Sequence, residues 1–98
     1  MTIEIKKMGA EVVIELAGRL DTSTAPILDK TLCEDVSENA NLMLDLKGLE
    51  YISSAGLRVL LSAQKRMKKS GSMKLRNVSE EVMDVFELTG FADILEFV

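Results

Sequence analysis

The sequence predicts a small α/β fold: a mixed β-sheet with packed helices, in the order β-β-α-β-α-β-α, followed by a segment that closes as a strand or a short helix. Three observations predict it. Short apolar runs such as Leu42–Leu46 alternate with stretches of helical period. The first two apolar runs are close enough to form a hairpin, which makes the sheet mixed. The later strand–helix–strand units predict parallel neighbours with right-handed crossovers. Ninety-eight residues set a single domain, 1–98. Such a chain buries roughly 60–70% of its unfolded surface. A composition of 47% hydrophobic and 29% charged residues is that of an ordered globular domain.

Ile3 and Ile5 alternate with polar residues, so the first strand has one solvated face and lies near a sheet edge. Met8-Gly9-Ala10 is a turn, and Val12, Val13, Ile14 and Leu16 form the second strand. GRLDTSTAP reads as a loop in which Ser23 or Thr24 caps a helix. Pro26 suits the first turn, where its missing N–H has no helical partner. Ile27, Leu28, Leu32 and Val36 recur at helical spacing, and SENAN ends the helix. Leu42–Leu46 is a buried central strand, and Lys47–Ile52 leads out of it. Leu57, Leu60, Leu61 and Met67 share a helical face, with Arg58, Lys65, Arg66, Lys68 and Lys69 on the other face and in the last turn. Ser70-Gly71 stops that helix, and Met73 and Leu75 mark a further strand. Ser79 caps a last helix carrying Glu80 and Glu81 at its positive end. Val82, Val85 and Phe86 are its apolar stripe, and Gly90 ends it in a left-handed cap. Ile94–Val98 is the closing segment.

Composition excludes several function classes. A net charge of −4 argues against nucleic acid as a direct partner and leaves room for a basic protein partner. The chain has no histidine, so Ser–His and Cys–His catalytic pairs are excluded. Its one cysteine, Cys33, cannot form an internal disulfide and reads as a buried small hydrophobe. A structural zinc site needs more Cys and His than are present, and no metal or cofactor is expected. No apolar run approaches the roughly 20 residues that span a bilayer. The N-terminal stretch lacks the pattern of a signal peptide. A cytoplasmic location is therefore expected.

The segment DLKGLEYISSAGLRVLLSAQKRMKK, Asp45 to Lys69, raises the functional question. Ser53, Ser54, Ala55 and Gly56 form an uncrowded corner between an apolar run and an amphipathic helix. A serine there caps the helix, worth about 1 kcal/mol. The same corner suits a serine that a partner must reach, since small residues permit close approach. A helix start favours negative charge, and a phosphoserine carries about −1.5 to −2.

Other residues admit two roles at this point. Asp21 either shapes its turn as a hydrogen-bond acceptor or belongs to the site. Asp45 either points to the serine corner or marks a strand end at the sheet rim. Tyr51 either contacts a partner or packs on the sheet. The basic run from Lys65 to Lys69 reads as a solvated helix end complementing the dipole.

LMLDLKGLEYISSAGLRVLL resembles the core of STAS domains, specifically the anti-sigma factor antagonists of bacteria. VIELAGRLDTSTAPIL resembles the family's strand, Gly-x-Leu/Ile-Asp turn and helix, and ELTGFADILEF its last helix and strand. The resemblance covers nearly the whole chain in the expected order. It implies a non-enzymatic protein that binds a serine kinase acting as anti-sigma factor, is released once phosphorylated, and is restored by a serine phosphatase. The family motif Asp-Ser-Ser/Thr/Ala-Gly-Leu corresponds to Ser53-Ser54-Ala55-Gly56-Leu57, so Ser54 is the implied phosphorylation site. Ser53, standing where the family has Asp, is the alternative acceptor. Asp21 matches the family's loop aspartate. The partner-binding residues expected are Asp21, Thr22, Ser23, Tyr51, Ser53, Ser54, Ala55, Gly56, Leu57 and Arg58. The rival expectation keeps the fold and makes the chain an accessory subunit of a membrane transport or signalling complex.

Overall fold

The computed structural model describes residues Met1–Val98. Strands β1 (Thr2–Met8) and β2 (Glu11–Leu20) form the opening hairpin. Helix α1 (Ala25–Asp35), β3 (Asn41–Ile52), α2 (Ser54–Met67), β4 (Ser72–Arg76) and α3 (Glu80–Thr89) follow, then a 3₁₀ turn at Phe91–Asp93. The sheet runs β1-β2-β3-β4, with β1 antiparallel to β2 and the remaining pairs parallel. This is the mixed sheet and element order expected.

Register explains why the sheet is two-sided. Ile5, Ile14, Leu44 and Leu75 lie side by side across the strands. Their immediate successors in the same direction, Glu4, Glu15, Asp45 and Arg76, form the adjacent row. Neighbouring residues of a strand point to opposite faces. The apolar row therefore looks into the core and the charged row looks out. Leu28, Leu32 and Val36 of α1 and its C-terminus, Leu57, Leu60 and Met67 of α2, and Val82 and Phe86 of α3 join the strand residues in one apolar cluster. Ser79 accepts the Val82 N–H, and Gly90 closes α3 with φ +82°, both as the sequence predicts.

Two strands are longer than the apolar runs suggest. β2 continues through Gly18-Arg19-Leu20, and β3 continues through Lys47 to Ile52. Irregularities between Glu15 and Ala17 and between Gly18 and Arg19 absorb the extra β3 residues, so parallel pairing persists to Leu20 and Ile52. Gly18 takes φ +99°, which a side chain disfavours. The interrupted alternation hides these strand ends in the sequence.

Four other expectations are corrected. Cys33 is exposed, and Ile27 is 58% exposed. Each residue turns a helix by 100°, so both fall off the narrow stripe set by Leu28 and Leu32. Arg66 is not a solvated helix end: it is half-buried and donates to the carbonyls of Leu32 and Val36, tying α2 to the end of α1. Thr24 occupies the N-cap of α1 without capping it through its side chain. The closing segment resolves as a single strand-like bridge: Leu75 donates to Glu96 (2.8 Å) and Val98 donates to Leu75 (2.9 Å), so the tail lines the β4 edge.

Asp45 takes neither of the roles considered for it. It sits on the open face, buried, in the middle of β3. Ile52 lies seven steps further along the strand, roughly 23 Å at the usual rise. Its carboxylate accepts from the Lys47 N–H (3.0 Å), from Asn77 Nδ2 (3.2 Å to each oxygen) and from Arg76 Nε (3.1 Å). Asn77 holds φ +57° to reach it. Burial pushes the carboxyl up, but the Lys47 N–H, Asn77 and Arg76 together outweigh it and hold Asp45 below its ordinary value. A carboxyl lowered in the fold adds stability above its unfolded pKa and loses it as pH falls through the folded one.

Two predictions follow from this packing. A Cβ on Gly56 would lie 2.7 Å from Leu20 Cγ and 3.0 Å from Ile52 Cγ1. Alanine in place of glycine ordinarily favours a helix by about 1 kcal/mol, but overpacking costs about 1–3 kcal/mol. Gly56→Ala should therefore lower the Tm by several degrees in a thermal melt; a raised Tm contradicts the packing. For Asp45→Asn, chemical denaturation at pH 7 should read a loss of about 1–3 kcal/mol. That deficit should begin to shrink as pH drops below about 4, where the carboxyl of the unfolded chain takes up its proton first, and should vanish as pH falls through the lower pKa of the folded one.

Candidate functional site

β2 and β3 are parallel neighbours, so the loops that follow them leave the sheet at the same edge. The Ser53 N–H donates to the Leu20 carbonyl at 2.8 Å, extending the ladder one step past Ile52. This bond fixes the Asp21 loop beside the serine corner.

The two serines divide their work. Ser53 is extended (φ −95°, ψ 173°) and is the N-cap of α2. Its Oγ accepts the Gly56 N–H at 3.3 Å, and its carbonyl accepts the Leu57 N–H at 2.9 Å. Ser54 is the first helical residue and is exposed. At that position the backbone N–H groups of Ser54 and Ala55 have no intrahelical acceptor. Ala55 is half-buried, whereas Gly56 and Leu57 turn inward. The smallness of Gly56 thus serves the contact with Leu20 and Ile52, and the exposed chemistry of the corner rests with Ser54.

Asp21 is the organiser of the facing loop. Its Oδ1 accepts the Ser23 hydroxyl (2.7 Å), the Ser23 N–H (3.0 Å) and the Thr24 N–H (3.1 Å). The Thr24 hydroxyl accepts the Asp21 N–H and donates to the Arg19 carbonyl, both at 2.8 Å. The Ser23 hydroxyl, then the Thr24 N–H, hold the Asp21 carboxyl below its ordinary value. A fixed negative charge therefore stands at the corner across neutral pH. Thr22 and Ser23 are exposed beside it.

Arg19 and Tyr51 are register partners, and the Arg19 guanidinium carbon lies 4.1 Å from the Tyr51 ring centroid. Tyr51 remains 41% exposed, so it is a surface residue braced by a cation rather than a packed one. Arg58 is exposed one turn along α2 from Ser54. Ile27, in the first turn of α1 that follows the Asp21 loop, is an exposed apolar group. The helical spacing of Ile27 with Leu28 and Leu32 predicts a core position. The signal against that was its lack of an apolar partner three or four residues on, where Lys30 and Thr31 stand.

The molecule's two clefts lie elsewhere. One, of about 710 Å³, is lined by Ala10, Cys33, Val36, Ala40 and Arg66, where β2 and β3 begin. The other, of about 430 Å³, opens on the charged sheet face at Glu4, Glu15, Asp45 and Lys47. Ser54 lines neither. Small-molecule sites are concave. A serine outside any cleft, with exposed Tyr51 and Arg58 within four residues of it, suits recognition by another protein's surface.

Comparison with known proteins identifies the family and the fold. The anti-sigma-B factor antagonist of Bacillus subtilis (strain 168) is 33% identical over 97 residues, covering 98% of this chain and 89% of that protein. The crystal structure of an anti-sigma factor antagonist from Mycobacterium paratuberculosis superposes with a TM-score of 0.87 at 22% identity, over 98% of this chain and 83% of that one. The Bacillus cell fate determinant SpoIIAA, solved in its phosphorylated form, gives 0.70 at 16% identity over 99% and 91% of the two chains. The STAS domain model matches residues 2–98, and the chain belongs to the STAS domain family.

Proposed function

We propose that this protein is an anti-sigma factor antagonist switched by phosphorylation of Ser54. Unphosphorylated, it binds an anti-sigma factor that is also a serine kinase, and so frees a sigma factor for transcription. The kinase transfers the γ-phosphoryl group of ATP to Ser54 Oγ, leaving ADP and a proton, and the modified protein is released. A serine phosphatase returns it to the binding form. The observation that carries this reading is the division of labour at the corner: Ser53 is committed to the helix cap, and Ser54 is exposed with its hydroxyl uncommitted. The relationship to the B. subtilis antagonist over nearly the full chain favours this reading over a transport accessory subunit.

The physics of the switch follows from the surroundings. The helix N-terminus favours an added phosphate by at most about 2 kcal/mol. The fixed charge of Asp21 on the neighbouring loop opposes it, weakened by solvent screening because that carboxylate lies at the surface. A screened repulsion set against a favourable helix end leaves the domain folded after modification. Docking does not. Burying a dianion against a partner costs several kcal/mol unless cations meet it, and each 1.4 kcal/mol is tenfold in affinity. The docking face comprises Asp21, Thr22, Ser23, Tyr51, Ser53, Ser54 and Arg58, with Ala55 at its floor and Gly56 and Leu57 supporting it from beneath.

Two outcomes test this. In titration calorimetry against the anti-sigma factor, Ser54→Ala should bind within a few-fold of wild type and resist release by ATP. Ser54→Asp should lose roughly 10²-fold in affinity, about 2.7 kcal/mol. Wild-type binding by both variants contradicts a switch at Ser54. Separately, Ser53→Ala should cost about 1 kcal/mol of stability as a lost cap yet still accept one phosphate per chain by intact mass. Phosphate incorporation that persists in Ser54→Ala and vanishes in Ser53→Ala would move the acceptor to Ser53.

A further inference from the structure

Of the four arginines in the chain, three are already engaged. Arg19 lies over Tyr51, Arg66 donates to the carbonyls at the end of α1, and Arg76 bonds Asp45. Arg58 is exposed and has no ion pair, hydrogen bond or ring contact. It stands four residues after Ser54 in the same helix.

That spacing places two side chains on one helix face, with Cβ atoms about 5–6 Å apart. Helical side chains lean toward the N-terminus, so Arg58 reaches back over the turn that Ser54 begins. An acid preceding a base by four residues is also the favoured orientation of a helical ion pair. A guanidinium can engage two phosphate oxygens at once.

We propose that Arg58 is the internal counter-ion of a phosphate on Ser54. The proposal rests on Ser54 as the modified residue and adds how the modified state is held. On phosphorylation Arg58 closes onto the phosphate, offsets part of the repulsion from Asp21 and keeps the first turn of α2 intact. The same movement withdraws a cation from the docking face, so one chemical event both adds negative charge there and removes positive charge. The charged groups nearest the strand ends and helix starts at this corner are Asp21 on the loop after β2, Arg19 on β2, Glu50 on β3, and Asp29 and Lys30 on α1; Glu11, Glu15, Asp45, Lys47, Glu34, Asp35, Lys65 and Arg66 lie further along the same elements. Arg19 is held by Tyr51, which leaves Arg58 as the unengaged arginine of the corner.

The test uses the full chain with phosphoserine installed at position 54 during synthesis, so no kinase is needed. Phosphorus NMR follows the second ionisation of the phosphate, ordinarily near pH 6. A nearby cation favours the dianion and lowers that pKa. Arg58→Gln should raise it by about half a unit relative to wild type at low salt. Arg58→Lys should keep most of the wild-type value, and the difference should collapse near 1 M salt, where screening acts within about 3 Å. Equal ionisation in wild type and Arg58→Gln overturns the proposal. A chain whose phosphate enters elsewhere in cells overturns the Ser54 switch instead, and leaves this titration to be judged alone.

Discussion

The pairing of Leu20 with Ile52, extended by the Ser53 N–H to the Leu20 carbonyl, is the contact on which the rest of the molecule is arranged. It brings two loops that are some thirty residues apart in sequence to one sheet edge. It also sets where α2 starts. Gly56 must then press against Leu20 and Ile52, leaving no room for a side chain on that turn. With Gly56 turned in, Ser54 is turned out. The exposure of the hydroxyl is therefore a consequence of how the core closes beneath it.

The same contact sets the two lowered carboxylates apart. Asp45 has burial and charge, the usual marks of a functional residue, yet its partners are the end of β4 and the β3 backbone. It holds β4 to the sheet. Asp21 is more exposed and is engaged mainly by its own loop, but that loop is the one beside Ser54. Position relative to the strand ends, rather than burial, distinguishes the two carboxylates. The basic residues of α2 divide in the same way: Arg66 secures α1, and Arg58 remains free toward the corner.

Much of this was legible in the sequence because local chemistry and tertiary structure agree. The opening hairpin, the Ser79 cap, the Gly90 stop and the parallel order all rest on signals within a few residues. The corner was legible too, through its run of small residues before an apolar helix and its likeness to a known motif. What stayed hidden depends on distant partners. The full length of β3 requires bulges against β2, which break the alternation that marks a strand. Ile27 and Cys33 look like core residues until the narrow stripe of α1 is seen. The roles of Asp45 and Arg66 depend on groups about thirty residues away.

The central claim is that a phosphate on Ser54 is a local event, accommodated at a helix start without rearranging the sheet below. The most direct measurement is a backbone amide NMR comparison of the chain with and without that phosphate. Shift changes confined to residues 19–24 and 51–58, with the amides of β1, β4 and α3 unmoved, are the result expected. Changes spread across the sheet, or a collapse of spectral dispersion, would show that the modification acts by disrupting the fold, and would contradict the account.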